Sequence, residues 1–265
     1  MSFDISGAPL SQDEFNETIE SASIEPPALW AIISVETSGS GFFDDKRPKI
    51  LFERHVFSRI TKHVWDNEHS EISSPTPGGY GASGENQYRK LLVAYELDRS
   101  AALSSTSWGI GQVMGNNSES LKYNNISEFV NLMYASEKNQ LDAMVRFMKQ
   151  NDIDKLLNAK DWKETAKRYN GKAYDVKHYD LQIMQQYERF KAGPMPDMRL
   201  RSAQLLLRYL SRGESALDPG QVDGWHGRRT ESALNEFIRI NSLGPVESTS
   251  DIVFEEIKKQ ALMIQ

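Results

Sequence analysis

Apolar positions recur at helical spacing along most of the chain, and the clearest stretch is residues 26–41. Pro26 and Pro27 suit the first turn of a helix, where no N–H is needed and φ is already helical. Leu29, Ile32, Ile33 and Glu36 follow at i, i+3, i+4 and i+7, on one face. Three of them are apolar, so the spacing predicts a buried face with a carboxylate at its end. Ser38, Gly39, Ser40 and Gly41 stop the helix just beyond. Upstream, Ser11 and Glu14 form a capping-box pattern opening a helix to about residue 23, striped by Phe15 and Ile19.

Residues 49–61 place Ile50, Leu51 and Phe52, a short strand or the start of a helix, before a helix through Val56, Phe57 and Ile60. Residues 67–84 are polar and rich in Ser, Pro and Gly, which reads as a long loop of the kind that often carries function. Residues 85–103 read as one helix with Leu91, Leu92, Tyr95 and Ala102 inward. The small-residue segment 104–117 follows, enclosing Trp108, Gly109, Gly111 and Gln112. Further helices are predicted at 127–135, 136–150 and 161–169, the last opened by Asp161 and Glu164 and closed by Gly171. One more spans about 176–191. Nothing demands a large sheet, so the class is mainly α. Pro194 and Pro196 mark 192–197 as a linker. Beyond it, Leu200, Ala203, Leu206 and Leu207 stripe one helix, Ala233, Leu234 and Phe237 a second, and 251–263 form a third. The predicted division is 1–192 and a three-helix bundle at 198–265.

Composition narrows the function. With 39% hydrophobic and 26% charged residues, the 265-residue chain can build a real core. A net charge of −6 without a Lys/Arg run argues against nucleic acid. Cysteine is absent, which excludes disulfides and thiolate chemistry. The acidic N-terminus has no apolar core of a secretory signal, and no segment reaches the roughly 20 apolar residues of a membrane span. His55, His63 and His69 match no strong metal spacing, so structural or solvated histidines are expected and no metal or cofactor.

Glu36 carries the candidate chemistry. Burial on one side and the negative end of the helix dipole both disfavour its ionised form, which suits a general acid. The competing reading is an ion-paired surface Glu. Asp45 and Glu53 follow nearby, and a second carboxylate beside an acid is the arrangement of glycosidic-bond cleavage.

The segments VETSGSGFFDDKRPKILFERH (35–55), SSTSWGIGQVMG (104–115) and KRYNG (167–171), in that order, resemble the phage-type N-acetylmuramidases of the lysozyme-like superfamily over about residues 20–191. The first implies Glu36 as catalytic acid. The second is similar to the Gly-Leu-Met-Gln motif of goose-type lysozymes and lytic transglycosylases, here Gly109, Ile110, Gly111 and Gln112. The third is similar to their Tyr-Asn-Ala/Gly motif and implies roles for Tyr169 and Asn170. Within this frame Gln112 is placed to bond N-acetyl or ring oxygens, with Gly109 and Gly111 allowing close approach. Trp108 and Tyr80 are candidates to stack on sugar, with a core anchor as the alternative for Trp108. Tyr169 would bond Glu36 or substrate, or be a helix-end core tyrosine. Asn170 would bind substrate or only cap its helix. Asp45 lies nine positions after Glu36, the spacing of the second carboxylate in familiar phage lysozymes. Leu51 replaces the Thr those enzymes carry six residues later, so the base stays open between Asp45, slightly favoured, and Glu53.

The tail resembles the peptidoglycan-binding three-helix domain through Gln204, Leu207, Asp223, Gly224, Trp225, Thr230, Ala233 and Phe237. Together the resemblances imply a lysozyme-like catalytic domain followed by a wall-binding bundle. The implied reaction is cleavage of the β-1,4 bond between N-acetylmuramic acid and N-acetylglucosamine in bacterial cell walls. A lytic transglycosylase and a non-catalytic wall-binding protein are the alternatives. Peptidoglycan glycan strands are the expected partner. The expected routes from the cytoplasm to the wall are holin-dependent release of an endolysin, or a secretion carrier with an immunity protein for an antibacterial effector.

Overall fold

The chain enters through α1 (Gln12–Ala22), where the predicted capping box forms: Ser11 Oγ accepts from Glu14 N, and Ser11 N donates to the Glu14 carboxylate at 2.8 Å. The computed structural model describes residue 3 and residues 5–171, 175, 178–213 and 216–264. Next comes α2 (Pro26–Thr37), buried on nearly every side over Ala28, Leu29, Trp30, Ala31, Ile32 and Ile33. A helix apolar all round belongs at the centre of a core. The stripe read from the sequence was only part of what this helix buries.

The ambiguous segment after it resolves into β1 (Ile50–Phe52) and α3 (Arg54–Ile60). The predicted 85–103 helix is two, α4 (Glu85–Leu97) and α5 (Arg99–Ser104), because the Asp98 side chain caps Ala101 N at 2.9 Å and restarts the chain. Leu92, expected inward, is 42% exposed. The chain then forms β2 (Thr106–Trp108) and β3 (Val113–Met114). The sheet is antiparallel in the order β1-β2-β3, with Phe52 opposite Thr106, Ile50 opposite Trp108, and Trp108 opposite Val113.

A 3₁₀ turn (Gly115–Asn117) leads to α6 (Ile126–Ala135) and α7 (Glu137–Gln150). The unpredicted α8 (Ile153–Ala159), then α9 (Trp162–Asn170) and α10 (Tyr179–Ala192) follow. The expected start of α10 at Val176 lies outside the described residues. Helix α10 packs along α2 and α9. Among the described residues no helix is long and apolar enough to cross a membrane.

The tail forms α11 (Met198–Ser211), α12 (Arg228–Ile240) and α13 (Asp251–Met263) around its own core of Leu205, Leu207, Leu234, Phe237 and Ile257. Gln204 holds its central loop, donating to the Trp225 carbonyl at 3.0 Å and accepting from Gly224 N at 2.8 Å. The sequence suggests a tethered module, but the bundle is docked. Phe42 enters the tail's core, while Met198 and Trp225 pack on the larger one. Tyr209 donates to the Gly7 carbonyl at 2.8 Å, Ser202 to the Leu10 carbonyl at 2.9 Å, and Arg208 pairs with Asp44 at 2.6 Å.

Candidate active site

Glu36 stands half-buried on the last turn of α2. Ser38 (φ 55°) and Gly39 (φ 90°) end the helix in left-handed conformations and turn the chain sharply. The Thr37 carbonyl accepts from Lys49 Nζ at 2.8 Å, and Thr37 Oγ1 donates to the Ile33 and Ile110 carbonyls at 3.1 and 3.3 Å. These bonds tie the end of α2 to the loop after β2.

Helix α7 organises both loops from one face. Glu137 accepts from Gly41 N at 2.9 Å, and Gln140 Oε1 accepts from Ile110 N at 2.8 Å. A Cβ at Gly109 would meet Gln140 at 2.4 Å, one at Gly111 would meet Met144 at 2.5 Å, and one at Gly41 would meet Gln140 Oε1. Glycine is required at these three positions because α7 presses against the backbone there.

From the opposite side α9 brings Tyr169 and Asn170. Asn170 Nδ2 donates to Glu36 Oε1 at 2.7 Å, and Tyr169 donates to the Gly111 carbonyl at 2.6 Å. Burial, and then the Glu36 charge, push the Tyr169 hydroxyl well above its ordinary range. Tyr169 is thus a neutral donor bridging α9 to the Gly111 loop. The structure brings three of the sequence-predicted residues together here: Glu36, Tyr169 and Asn170.

Glu53 follows β1 at its far end, its N–H donating to the Ser105 carbonyl at 2.8 Å. Its side chain is 15% exposed, with His55 Nδ1 3.1 Å from Oε2. Burial raises this carboxyl, outweighing the opposing effects of His55 and of the Tyr80 hydroxyl that donates to it. Tyr80 in turn is pushed up to about 12 by burial and by Glu53, and it also feels Tyr179 at the start of α10. Thus the segment between α3 and α4, which includes the loop read at 67–84, delivers a phenol to this carboxylate.

Asp45 lies elsewhere. It holds Arg47 through Oδ2 at 2.6 Å and accepts Arg47 N at 3.0 Å, and Arg47 bridges on to Glu85 at 2.6 Å. The side chain is 48% exposed and lines a cavity of about 590 Å³ with Phe43, Glu85, Arg208 and Tyr209 rather than with Glu36. Residues 42–48 fold back on themselves through Phe43 N to the Arg47 carbonyl, which puts Asp45 in a turn of its own.

Burial corrects one of the substrate-binding expectations in residues 108–112 and packing constrains the other two. Trp108 is fully buried, its Nε1 donating to the Leu103 carbonyl at 3.2 Å and its ring packed on Tyr134, so it offers no face to a sugar. Gly109 is a packing glycine pressed by Gln140, its N–H donating to the Lys49 carbonyl at 2.9 Å. Gln112, at φ 46°, gives both N–H groups inward, to the Lys49 and Gly109 carbonyls at 3.1 and 2.9 Å, which leaves only an acceptor oxygen for a ligand. Thr230 is buried and donates to the Pro219 carbonyl. Among the histidines, His55 sits on Glu53, and His63 pairs with Asp66 at 3.0 Å.

Sequence reasoning missed Glu137, Gln140 and Arg201, each fully or almost fully buried. The available signal was a pair of polar residues three apart, interrupting the apolar stripe of α7.

Comparison with known proteins follows the same lines. The family model described as N-acetylmuramidase matches residues 25–191, more than half of the chain. Among solved structures, the crystal structure of the Burkholderia AP3 phage endolysin is similar, with 32% sequence identity and a TM-score of 0.62 over 68% of this chain and 70% of that one. A comparison with curated proteins gives no match. The matched segment contains Glu36, Glu53, Gln112, Tyr169 and Asn170, and on this evidence the chain belongs to the N-acetylmuramidase family.

Proposed function

We propose that this enzyme, a glycoside hydrolase acting on peptidoglycan by its family, cuts the β-1,4 bond between N-acetylmuramic acid and N-acetylglucosamine with Glu36 as general acid. The observation that carries the assignment is the Asn170 amide on the Glu36 carboxyl at the end of a buried helix. Asn170 anchors one oxygen, and the proton for the leaving group is carried by the other. As the glycosidic C–O bond breaks, that proton passes to the leaving oxygen. A water gives its oxygen to the anomeric carbon and its proton to the second carboxylate.

Spacing in sequence favoured Asp45 for that second role. The structure supports Glu53 instead, since Asp45 is engaged by Arg47 over a separate cavity, while Glu53 is half-buried between Tyr80 and His55. Burial makes Glu53 a stronger base than an exposed carboxylate, which brings it nearer the operating pH. The endolysin neighbour supports delivery to the wall at the end of a phage cycle; holin-dependent release fits that route, and a secretion carrier with an immunity protein is the other.

Mass spectrometry of digested sacculi tests the reaction. New reducing ends with incorporated water support hydrolysis, 1,6-anhydro ends mark a transglycosylase that needs no second carboxylate, and intact glycan overturns the assignment.

A further inference from the structure

We propose that Arg201, carried by α11 of the tail, is a positioning residue for the reaction at Glu36, so that the tail completes the active site as well as contacting the wall. The inference rests on Glu36 being the acid.

The turn at residues 38–41 leaves α2 two positions after Glu36 and has little support of its own. Ser38 N bonds the Ser34 carbonyl at 3.1 Å, but Ser40 N reaches Thr37 only at 3.5 Å. Its polar groups are held from outside instead. The Gly39 carbonyl accepts from Arg201 Nε at 2.9 Å and from Nη2. Gly41 N donates to Glu137 Oε1, and the same carboxylate takes Arg201 as a fork at 2.7 and 2.8 Å. Both side chains are at 0% exposure. The fit is closed from the tail side as well. A Cβ at Gly39 would lie 2.7 Å from the Val222 carbonyl, and the φ of +90° already excludes ordinary side chains there.

Stability alone does not account for this arrangement. A fully buried ion pair is often replaceable by apolar side chains without loss, because desolvation cancels its attraction. What an apolar pair cannot do is hold the Gly39 carbonyl and the Gly41 amide. Helix ends fray by a turn when their terminal groups lose partners, and the last turn of α2 contains Glu36. Glu137 and Gln140 share one face of α7, so the Arg201 fork also fixes the 38–41 turn relative to the Ile110 loop, where Tyr169 docks. A displacement of about 1 Å at an acid of this kind is enough to cost roughly 100-fold in rate.

The test uses the full-length protein on solubilised, stem-peptide-free glycan strands, with kcat and KM measured separately at a temperature where each variant keeps the parental circular dichroism. Arg201→Lys keeps the charge and loses the fork. The double variant Arg201→Met with Glu137→Leu removes the pair but keeps its volume. Ser202→Ala breaks a neighbouring tail contact, the bond to the Leu10 carbonyl, without touching residues 39–41. Expected is a tenfold or greater fall in kcat at unchanged KM for the first two, and kcat within twofold of the parent for Ser202→Ala. Parental kcat in Arg201→Lys, or a loss no larger than that of Ser202→Ala, overturns the inference; should the double variant fail to fold, Arg201→Lys decides alone. Glu36→Gln in the same assay separates the two readings. If it stays active, the acid assignment fails; if it is inactive while Arg201→Lys is parental, only the positioning role fails.

Discussion

Asn170 and Glu36 lie 134 positions apart in the chain, yet the Asn170 amide donates to the Glu36 carboxyl at 2.7 Å. The contact joins the ends of two helices that the fold brings together through α10, which packs on both. Glu36 becomes charged as it gives up its proton, and hydrogen bonds to charged groups are worth about 1.5–3 kcal/mol, so this bond strengthens in the transition state rather than in the resting protein. Asn170→Ala should therefore lower kcat roughly 10- to 150-fold with little change in melting temperature. Steady-state kinetics on solubilised glycan decide; an unchanged kcat would detach Asn170 from the acid.

Glu36→Gln should remove lytic activity by a factor on the order of 10²–10⁴, because the amide is nearly isosteric but has no proton to give. Binding to whole sacculi should be retained. Activity within a few-fold of the parent would take Glu36 out of its role.

The two candidate bases should separate cleanly. Asp45→Asn weakens a half-exposed pair with Arg47, an interaction worth at most about 1 kcal/mol, and should leave kcat near the parent's. Glu53→Gln removes a half-buried carboxylate and should reduce kcat by about 10²-fold or more. If both variants show the same mild loss, no protein carboxylate serves as base, and anhydro products should then appear in the digest.

The local signals in the sequence were legible where the physics is local. The Ser11 box, the twin prolines of α2, the Gly171 cap and the carboxylate at the end of α2 all depend on residues within a turn or two of one another. Glu53 and Tyr80 were visible as candidates but not as partners, since a 27-residue separation hides a contact made by a loop. Trp108 stayed open between sugar and core because a small-residue motif looks the same whether it faces ligand or core. What decides is burial against Tyr134 on α6, which the local sequence does not show. The docking of the tail was invisible because Arg201 sits among Leu, Ala and Gln in a stripe that reads as an ordinary bundle helix.

A chain ending near Ala192 would leave the Glu137 carboxylate buried without its guanidinium, and would uncover Phe42. Breaking a buried pair by removing one partner costs about 3–5 kcal/mol. The truncated chain should melt well below the parent and lose activity on soluble glycan as well as on sacculi. A truncated protein with parental melting temperature and parental kcat on soluble strands would show that the tail is an independent anchor.

Lys49 gives the site a pH signature. Its Nζ donates to the Thr37 carbonyl, next to Glu36, from a half-buried position. Burial brings its pKa down from 10.5 to about 8, helped by Arg208 and Arg201 and opposed by Glu137 and Asp44. In the folded state the ammonium is therefore disfavoured relative to the unfolded chain. Between about pH 8 and 10.5 the unfolded chain holds more protons than the folded one, so this group adds stability as pH rises through that window. The gain is complete above the unfolded value and is lost as pH falls through about 8. Its size should be on the order of 2 kcal/mol, less than the full conversion because the side chain is not wholly buried. Denaturant titrations of the parent and Lys49→Met from pH 7 to 10.5 isolate it, since other groups titrate alike in both proteins. The parent should gain on the variant by that amount across the window. Parallel curves would mean that Lys49 reaches water freely and that the end of α2 is looser than its hydrogen bonds suggest.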